Sequence, residues 1–301
     1  MTSLPACSDV HAEPLPGTAL PKSVFVLFEW PGGWTHDILD GGTFDAELTA
    51  ALKEKFQGSA GLHLIRRPGR AGRQVGRMHR CYLVWAEQAA MEMVLLTGPE
   101  KILDLDLTGP GRNQGGRIEG PLALVCTHGK RDVCCALKGR PLAAELVEQF
   151  PGSVWESSHL KGHRFAPTSL LLPWGYSFGR LNGQAAAEML RLAFRGEMFL
   201  PANRGSGRLS PRGQVAELAV ARVLVDAAET VRYLDLTVCE EDGGHDTDSA
   251  PVRVTHYDGR AWDVTLEPRE VAGVISSCGD EPKTATVWEA TGVAPVATNG
   301  A

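Results

Sequence analysis

No run of the sequence approaches the roughly 18 apolar residues that a membrane-spanning helix needs, so a membrane-embedded role is not expected. Basic charge is not in excess either. Thirty Lys and Arg face 36 Asp and Glu, for a net charge of −6, and bulk nucleic-acid binding wants the opposite balance. There is no C-x-x-C pair anywhere, which weakens a thiol oxidoreductase role. Residues 1–20 hold acidic residues and prolines but no basic n-region and no apolar core; no secretory signal is expected, and a cytoplasmic location is. Seven cysteines, an odd number in a chain of 301 residues, speak against a disulfide framework. No internal repeat and no long low-complexity run stands out.

What is present is ordinary globular composition, 43% hydrophobic and 22% charged, ample for a buried core. The length suggests two domains. Residues 1–21 are rich in Pro, Ser and Ala and read as an extended arm. An α/β domain is expected over 22–110, with strands at 23–29 (SVFVLFE), 62–65 and 81–86, and a helix at 44–56. The glycine-rich stretch 108–120 (TGPGRNQGGRIEG) is the best domain boundary. A second domain, 119–200, then restarts with strand 121–126 (PLALVC), helix 137–150, strands 153–156 and 169–172, and helix 183–195. This order contains a β-α-β unit and suits a thioredoxin-like sheet. Ser210-Pro211 opens a further helix, Ser as cap and Pro at the first helical position. Strands at 233–239, 252–256 and 262–266 follow, the last two joined at Asp258-Gly259 as a hairpin. The C-terminal extension is thus a helix and a β-hairpin over 208–285, with an acidic loop at 240–249 and a disordered tail at 286–301.

Chemistry concentrates between Val125 and His163. Cys126 ends an apolar strand, the kind of position where α/β sheets build sites. The loop after it has Gly129 for tight curvature and Lys130 and Arg131 to favour thiolates. Cys135 closes that loop beside a helix N-terminus. His159 and His163 leave the next strand at the same edge of the sheet. Cys126, Cys135, His159 and His163 together make a complete ligand set. Two Cys and two His fit a tetrahedral zinc and equally a [2Fe–2S] cluster with two imidazoles on one iron. The C-x8-C spacing encloses a larger loop than the short pairs of structural zinc sites, which favours the cluster. Cys134 stands next to Cys135 and competes with it as ligand. Cys126-Thr127-His128 looks like half of a Rieske motif, which makes His128 an alternative ligand, but its C-x-x-H half is missing. Arg131 and Asp132 pair locally or hydrogen-bond a ligand. Cys7, Cys81, Cys239 and Cys278 are scattered and read as small buried apolar residues.

The strings C-T-H-G-x-R-D-x-x-C (126–135) and H-x-x-G-H-R-F-A (159–166) resemble the sucrase/ferredoxin-like family. So do Gly17-Thr18-Ala19 ahead of an apolar strand and Glu29-Trp30-Pro31-Gly32, and Ser210-Pro211 with Gln214-Val215-Ala216. The resemblance implies a thioredoxin-like ferredoxin domain with a [2Fe–2S] centre that is not of the Rieske kind. Cys126 and Cys135 would bind one iron and His159 and His163 the other. The motif cysteine three places after the aspartate corresponds to Cys135, not Cys134. No pair of carboxylates flanked by sugar-stacking aromatics accompanies the "sucrase" of the family's title.

An electron-transfer protein is therefore expected rather than a substrate-converting enzyme. With no flavin or nicotinamide site in the sequence, its electrons come from a redox partner protein or a small reductant. The competing readings are a zinc-stabilised binding module with the same ligands and a thiol oxidoreductase. The basic run Arg66, Arg67, Arg70, Arg73, Arg77 and Arg80 is either a docking surface for an acidic partner or a solvated loop.

Overall fold

The computed structural model describes residues 6–58, 60–74, 76–239 and 250–297. The acidic loop at 240–249 lies outside them, as do residues 1–5 of the arm and 298–301 of the tail. In chain order the first half runs β1 (Val24–Glu29), α1 (Ala46–Lys55), β2 (Gly61–Arg66), β3 (His79–Trp85), β4 (Ala90–Leu96) and the short β5 (Gly116–Arg117). The second runs β6 (Leu122–Cys126), α2 (Val133–Gln149), β7 (Val154–Ser157), β8 (Thr168–Leu172), β9 (Tyr176–Gly179), α3 (Gly183–Phe194) and β10 (Asn203–Ser206).

All ten strands form one mixed sheet in the order β10-β9-β8-β6-β7-β2-β1-β3-β4-β5. Within the second half, β7 lies parallel to β6, with β8 and β9 added antiparallel on the other side. That is the thioredoxin-like arrangement expected from the sequence. The first half repeats it: β2 is parallel to β1, and β3 and β4 are antiparallel beyond. The two halves meet edge to edge through β2 and β7, where Ile65 pairs with Ser157 and Arg66 with Glu156. The repetition lies in the order of elements, not in any shared string of residues. The glycine-rich stretch at 108–120 separates the halves along the chain, yet in space they share a sheet.

The central strands are apolar on both faces, which is why their sequences do not alternate. In β1, Phe25 and Leu27 join one core while Val26 and Phe28 join another, under α1. In β6, Ala123 and Val125 face α2 and α3, whereas Leu124 and Cys126 face Trp155. Helix α2 begins four residues earlier than its apolar spacing suggested, because the Asp132 side chain accepts the Cys134 N–H and caps it. Cys135 is therefore inside the first turn.

After the large sheet, α4 (Pro211–Asp226) leads to a four-stranded antiparallel sheet. Its strands are β11 (Leu236–Cys239), β12 (Val252–His256), β13 (Ala261–Val274) and β14 (Lys283–Pro295). The sequence led us to expect three strands, 233–239 and a hairpin of 252–256 and 262–266, followed by a disordered tail. Residues 286–295 instead belong to β14, paired along β13 from Trp262↔Pro295 to Val274↔Lys283. Val287 is the one buried residue of that strand, so backbone pairing holds it and no apolar pattern announces it. Helix α4 ties this sheet to the rest through a core that joins Val215 and Leu218 to Trp262 and Leu266.

Helix α2 lies close against the end of β6 because Gly139 has no side chain. A Cβ there would stand 2.0 Å from the Cys126 carbonyl oxygen. Gly139→Ala gains about 1 kcal/mol of helix propensity and loses about 1–3 kcal/mol to the forced displacement of backbone. We expect net destabilisation, read as a lower urea midpoint; an unchanged or higher midpoint would contradict the close packing.

Candidate metal centre

Cys126 is the last residue of β6, and Cys135 sits in the first turn of α2; both are fully buried. His159 and His163 lie in the loop after β7. That loop is fastened to the first half of the chain: the Ser158 N–H donates to the Leu64 carbonyl at 2.8 Å, and the Leu64 N–H donates back to Ser158 Oγ at 3.0 Å. Gly162 turns the loop at φ 77°, in the left-handed region, and the buried Arg204 guanidinium fills the space a Cβ would need.

The two sulfurs and a ring nitrogen of His159 lie within 4.8 Å of one another. Cys126 Sγ is 3.9 Å from His159 Nδ1. His163 stands one step further out, its Nδ1 3.4 Å from His159 Nε2, and it falls outside the close set. The four donors therefore form an arc. The other nitrogen of His163, Nε2, is 2.9 Å from Ser277 Oγ and 3.7 Å from Asp132 Oδ2. With Nε2–H facing these acceptors, Nδ1 presents a lone pair to the centre.

The electrostatics of the two thiols differ. The hydrogen bond from Cys135 outweighs burial and, with His159 alongside, holds the Cys126 thiol well below its ordinary pKa. The same hydrogen bond, together with burial, pushes Cys135 up. Burial lowers the His163 pKa, while Asp132 pulls it back upward.

His128 is not placed as a ligand. Its Nε2 meets the Thr35 carbonyl at 2.6 Å, and its Nδ1 accepts the His159 N–H at 3.1 Å. Both ring nitrogens are occupied by backbone, so His128 orients the His159 loop. Cys134 points away from Cys126 and Cys135, toward Cys7 and Cys278. Arg131 and Asp132 do not pair with each other. Arg131 donates to the His36 ring at 3.1 Å, whereas Asp132 accepts the N–H groups of Cys134 (2.8 Å) and Cys278 (3.2 Å).

Part of the basic run is occupied inside the molecule. Arg66 pairs with Glu156 at 2.8 Å and stacks over Trp34, Arg67 stacks over Trp155, and Arg80 pairs with Glu29. Of the four scattered cysteines, Cys7 and Cys81 are buried as expected, Cys278 is partly buried and Cys239 is exposed. Trp155, fully buried, packs in the same apolar cluster as Cys126 and Cys135. On the open side, His159 borders a cavity of about 240 Å³ shared with His36, His63, His128, Arg131 and Lys161.

A sequence model of sucrase/ferredoxin-like proteins matches residues 15–205, well over half of the chain and all four donors of the arc. The chain belongs to the sucrase/ferredoxin-like family. No curated protein and no solved structure gives a significant match. Among the described residues no helix is long and apolar enough to cross a membrane. The sucrase/ferredoxin-like span ends before α4, so Ser277, which meets His163, comes from outside it. Sequence reasoning missed Ser277, Thr35 and His36, and no local pattern marks them. It also took Cys7 and Cys278 for isolated thiols.

Removing the His128 ring leaves the Thr35 carbonyl and the His159 N–H without their partner. His128→Ala should cost about 1–3 kcal/mol of stability, measured by chemical denaturation. An unchanged denaturation midpoint would mean that these two contacts do not hold the loop.

Proposed function

We propose that this protein is a one-electron redox protein whose [2Fe–2S] cluster is held by Cys126 and Cys135 on one side and His159 and His163 on the other. The observation that carries this is the arc of donors. Four ligands of a single tetrahedral ion would crowd around one point. Here three donors are close and His163 lies beyond them, a spread that suits two metal atoms. The donor chemistry fits as well: two thiols shielded from water, and two imidazoles at the rim.

When bound, such a cluster with two neutral imidazoles in place of two thiolates accepts an electron at a higher potential than an all-cysteine one. His163 would hold a proton at Nε2, the nitrogen that faces Ser277 and Asp132. Negative charge added to the cluster would favour the proton on His163 Nε2 and so would couple electron uptake to proton uptake. Asp132 and Ser277 stand where they stabilise the proton on His163 Nε2. A partner protein would dock over the imidazole rim, the half-buried side of the arc, to exchange electrons.

Protein purified without oxygen should contain iron and acid-labile sulfide, show a brown absorption spectrum, and give an EPR signal on reduction. Colourless protein with zinc on Cys126, Cys135 and the histidines would overturn the proposal in favour of a zinc-stabilised module.

The sign of the pH dependence follows from the proton balance. The reduced form has the higher histidine pKa, so between the oxidised and reduced pKa values the potential falls as pH rises, by at most about 59 mV per unit for one proton per electron. Below both values and above both it is flat. Voltammetry between pH 6 and 10 checks this, and a flat line throughout would exclude proton coupling. His159→Cys and His163→Cys should each keep a cluster at lower potential, and the double variant should lose the slope.

A further inference from the structure

A second group of donors lies beside the first and shares none of its four. Cys7 comes from the N-terminal arm, Asp132 and Cys134 from the start of α2, and Cys278 from the turn between β13 and β14. The Sγ–Sγ separations are 3.7 Å for Cys7 and Cys134, 3.1 Å for Cys134 and Cys278, and 3.5 Å for Cys278 and Cys7. Asp132 Oδ1 is 3.4 Å from the Cys278 sulfur and Oδ2 is 3.8 Å from the Cys7 sulfur. All four donors lie within 4.8 Å of one another.

We propose that Cys7, Cys134, Cys278 and Asp132 bind one zinc ion as a structural site. For tetrahedral zinc with Zn–S near 2.3 Å and Zn–O near 2.0 Å, the S···S edges are about 3.8 Å and the S···O edges about 3.5 Å. The two separations from Cys7 and both sulfur–oxygen separations lie within about 0.3 Å of those edges, and the 3.1 Å between Cys134 and Cys278 is shorter. They do not suit a disulfide, whose sulfurs stand about 2.05 Å apart and which would leave the third thiol over. A two-iron core is equally poor, because it spreads its ligands, and these three sulfurs converge on one point.

The surroundings agree. Cys7 and Cys134 are buried in a small cluster with Ala166 and Ile275. The Asp132 carboxylate is held in place by the N–H groups of Cys134 and Cys278, leaving lone pairs for an ion. Binding displaces the three thiol protons to solvent. Cys7 and Cys278 lie outside residues 15–205, the family's span, so this site is a feature of the chain beyond its family core.

Such an ion would join three segments that no strand pairing joins: the arm, α2 and the C-terminal sheet. It would also fix Ser277, next to Cys278, against His163.

The test is metal analysis of the full-length protein, with zinc and iron counted separately. One equivalent of zinc per chain is expected. Cys134→Ser or Cys278→Ser should lower it at least tenfold and leave iron unchanged, and Cys126→Ser should do the reverse. Should either variant fold poorly, cobalt(II) added to the metal-depleted wild-type chain should give the intense absorption of tetrahedral thiolate coordination, and zinc should abolish it. One equivalent of zinc persisting in Cys7→Ser, Cys134→Ser and Cys278→Ser alike would overturn the site. So would a wild-type chain that binds neither zinc nor cobalt, a disulfide among the three cysteines in place of zinc, or loss of iron instead of zinc from Cys278→Ser. A colourless chain that still loses zinc on Cys278→Ser would refute the cluster and leave this site standing.

Discussion

The Asp132 carboxylate is the contact on which the rest of the centre depends. By accepting the Cys134 N–H it starts α2 at Val133, and that start fixes where Cys134 and Cys135 project. Consecutive residues of an α-helix leave its axis about 100° apart. One thiol therefore turns toward Cys126 and His159, and its neighbour toward Cys7 and Cys278. The same carboxylate accepts the Cys278 N–H and faces His163 Nε2. Burial alone would raise its pKa, but these N–H donors and His163 hold it below the ordinary carboxylate range.

Neither group of donors is the property of one half of the fold. The first half supplies Thr35, whose carbonyl holds His128, and Leu64, whose backbone holds Ser158. The C-terminal sheet supplies Ser277. The arm adds a further tie, since Glu13 forms an ion pair with Arg164, the residue after His163, and Lys138 of α2 reaches Asp9. The ligand loops themselves are short and glycine-punctuated, so rigidity comes from neighbours distant in sequence.

That distribution explains what could be seen in the sequence. Cys126, Cys135, His159 and His163 were legible because each pair sits in one local string at the end of a strand that its apolar composition reveals. The mixed α/β class and the thioredoxin-like order of the second half followed from the same apolar runs. The convergence of Cys7, Cys134 and Cys278 was not legible: more than a hundred residues separate each from the next along the chain, Cys7 and Cys278 each look like a small buried residue, and Cys134 looks like a rival of Cys135. Strand β14 was missed because it buries almost nothing. The repeated order of the first half was missed because strand pairing and burial carry it without any repeated string. His128 looked like a ligand by spacing, and only the position of the Thr35 carbonyl shows that its ring is already engaged.

The pairing of β2 with β7 also decides which borders of the large sheet remain open. The rim of the second half nearest its donors, β7, is hydrogen-bonded to the chain's own first half. Its Glu156 and Ser157 are paired there with Arg66 and Ile65. The outermost strands of the large sheet are β5, two residues long, and β10, four residues with an irregular register. Short, interrupted borders of this kind are poor templates for strand addition. A visitor to the large sheet must engage it through side chains and loops; the longer free border of the molecule is that of β14, the outermost strand of the four-stranded sheet.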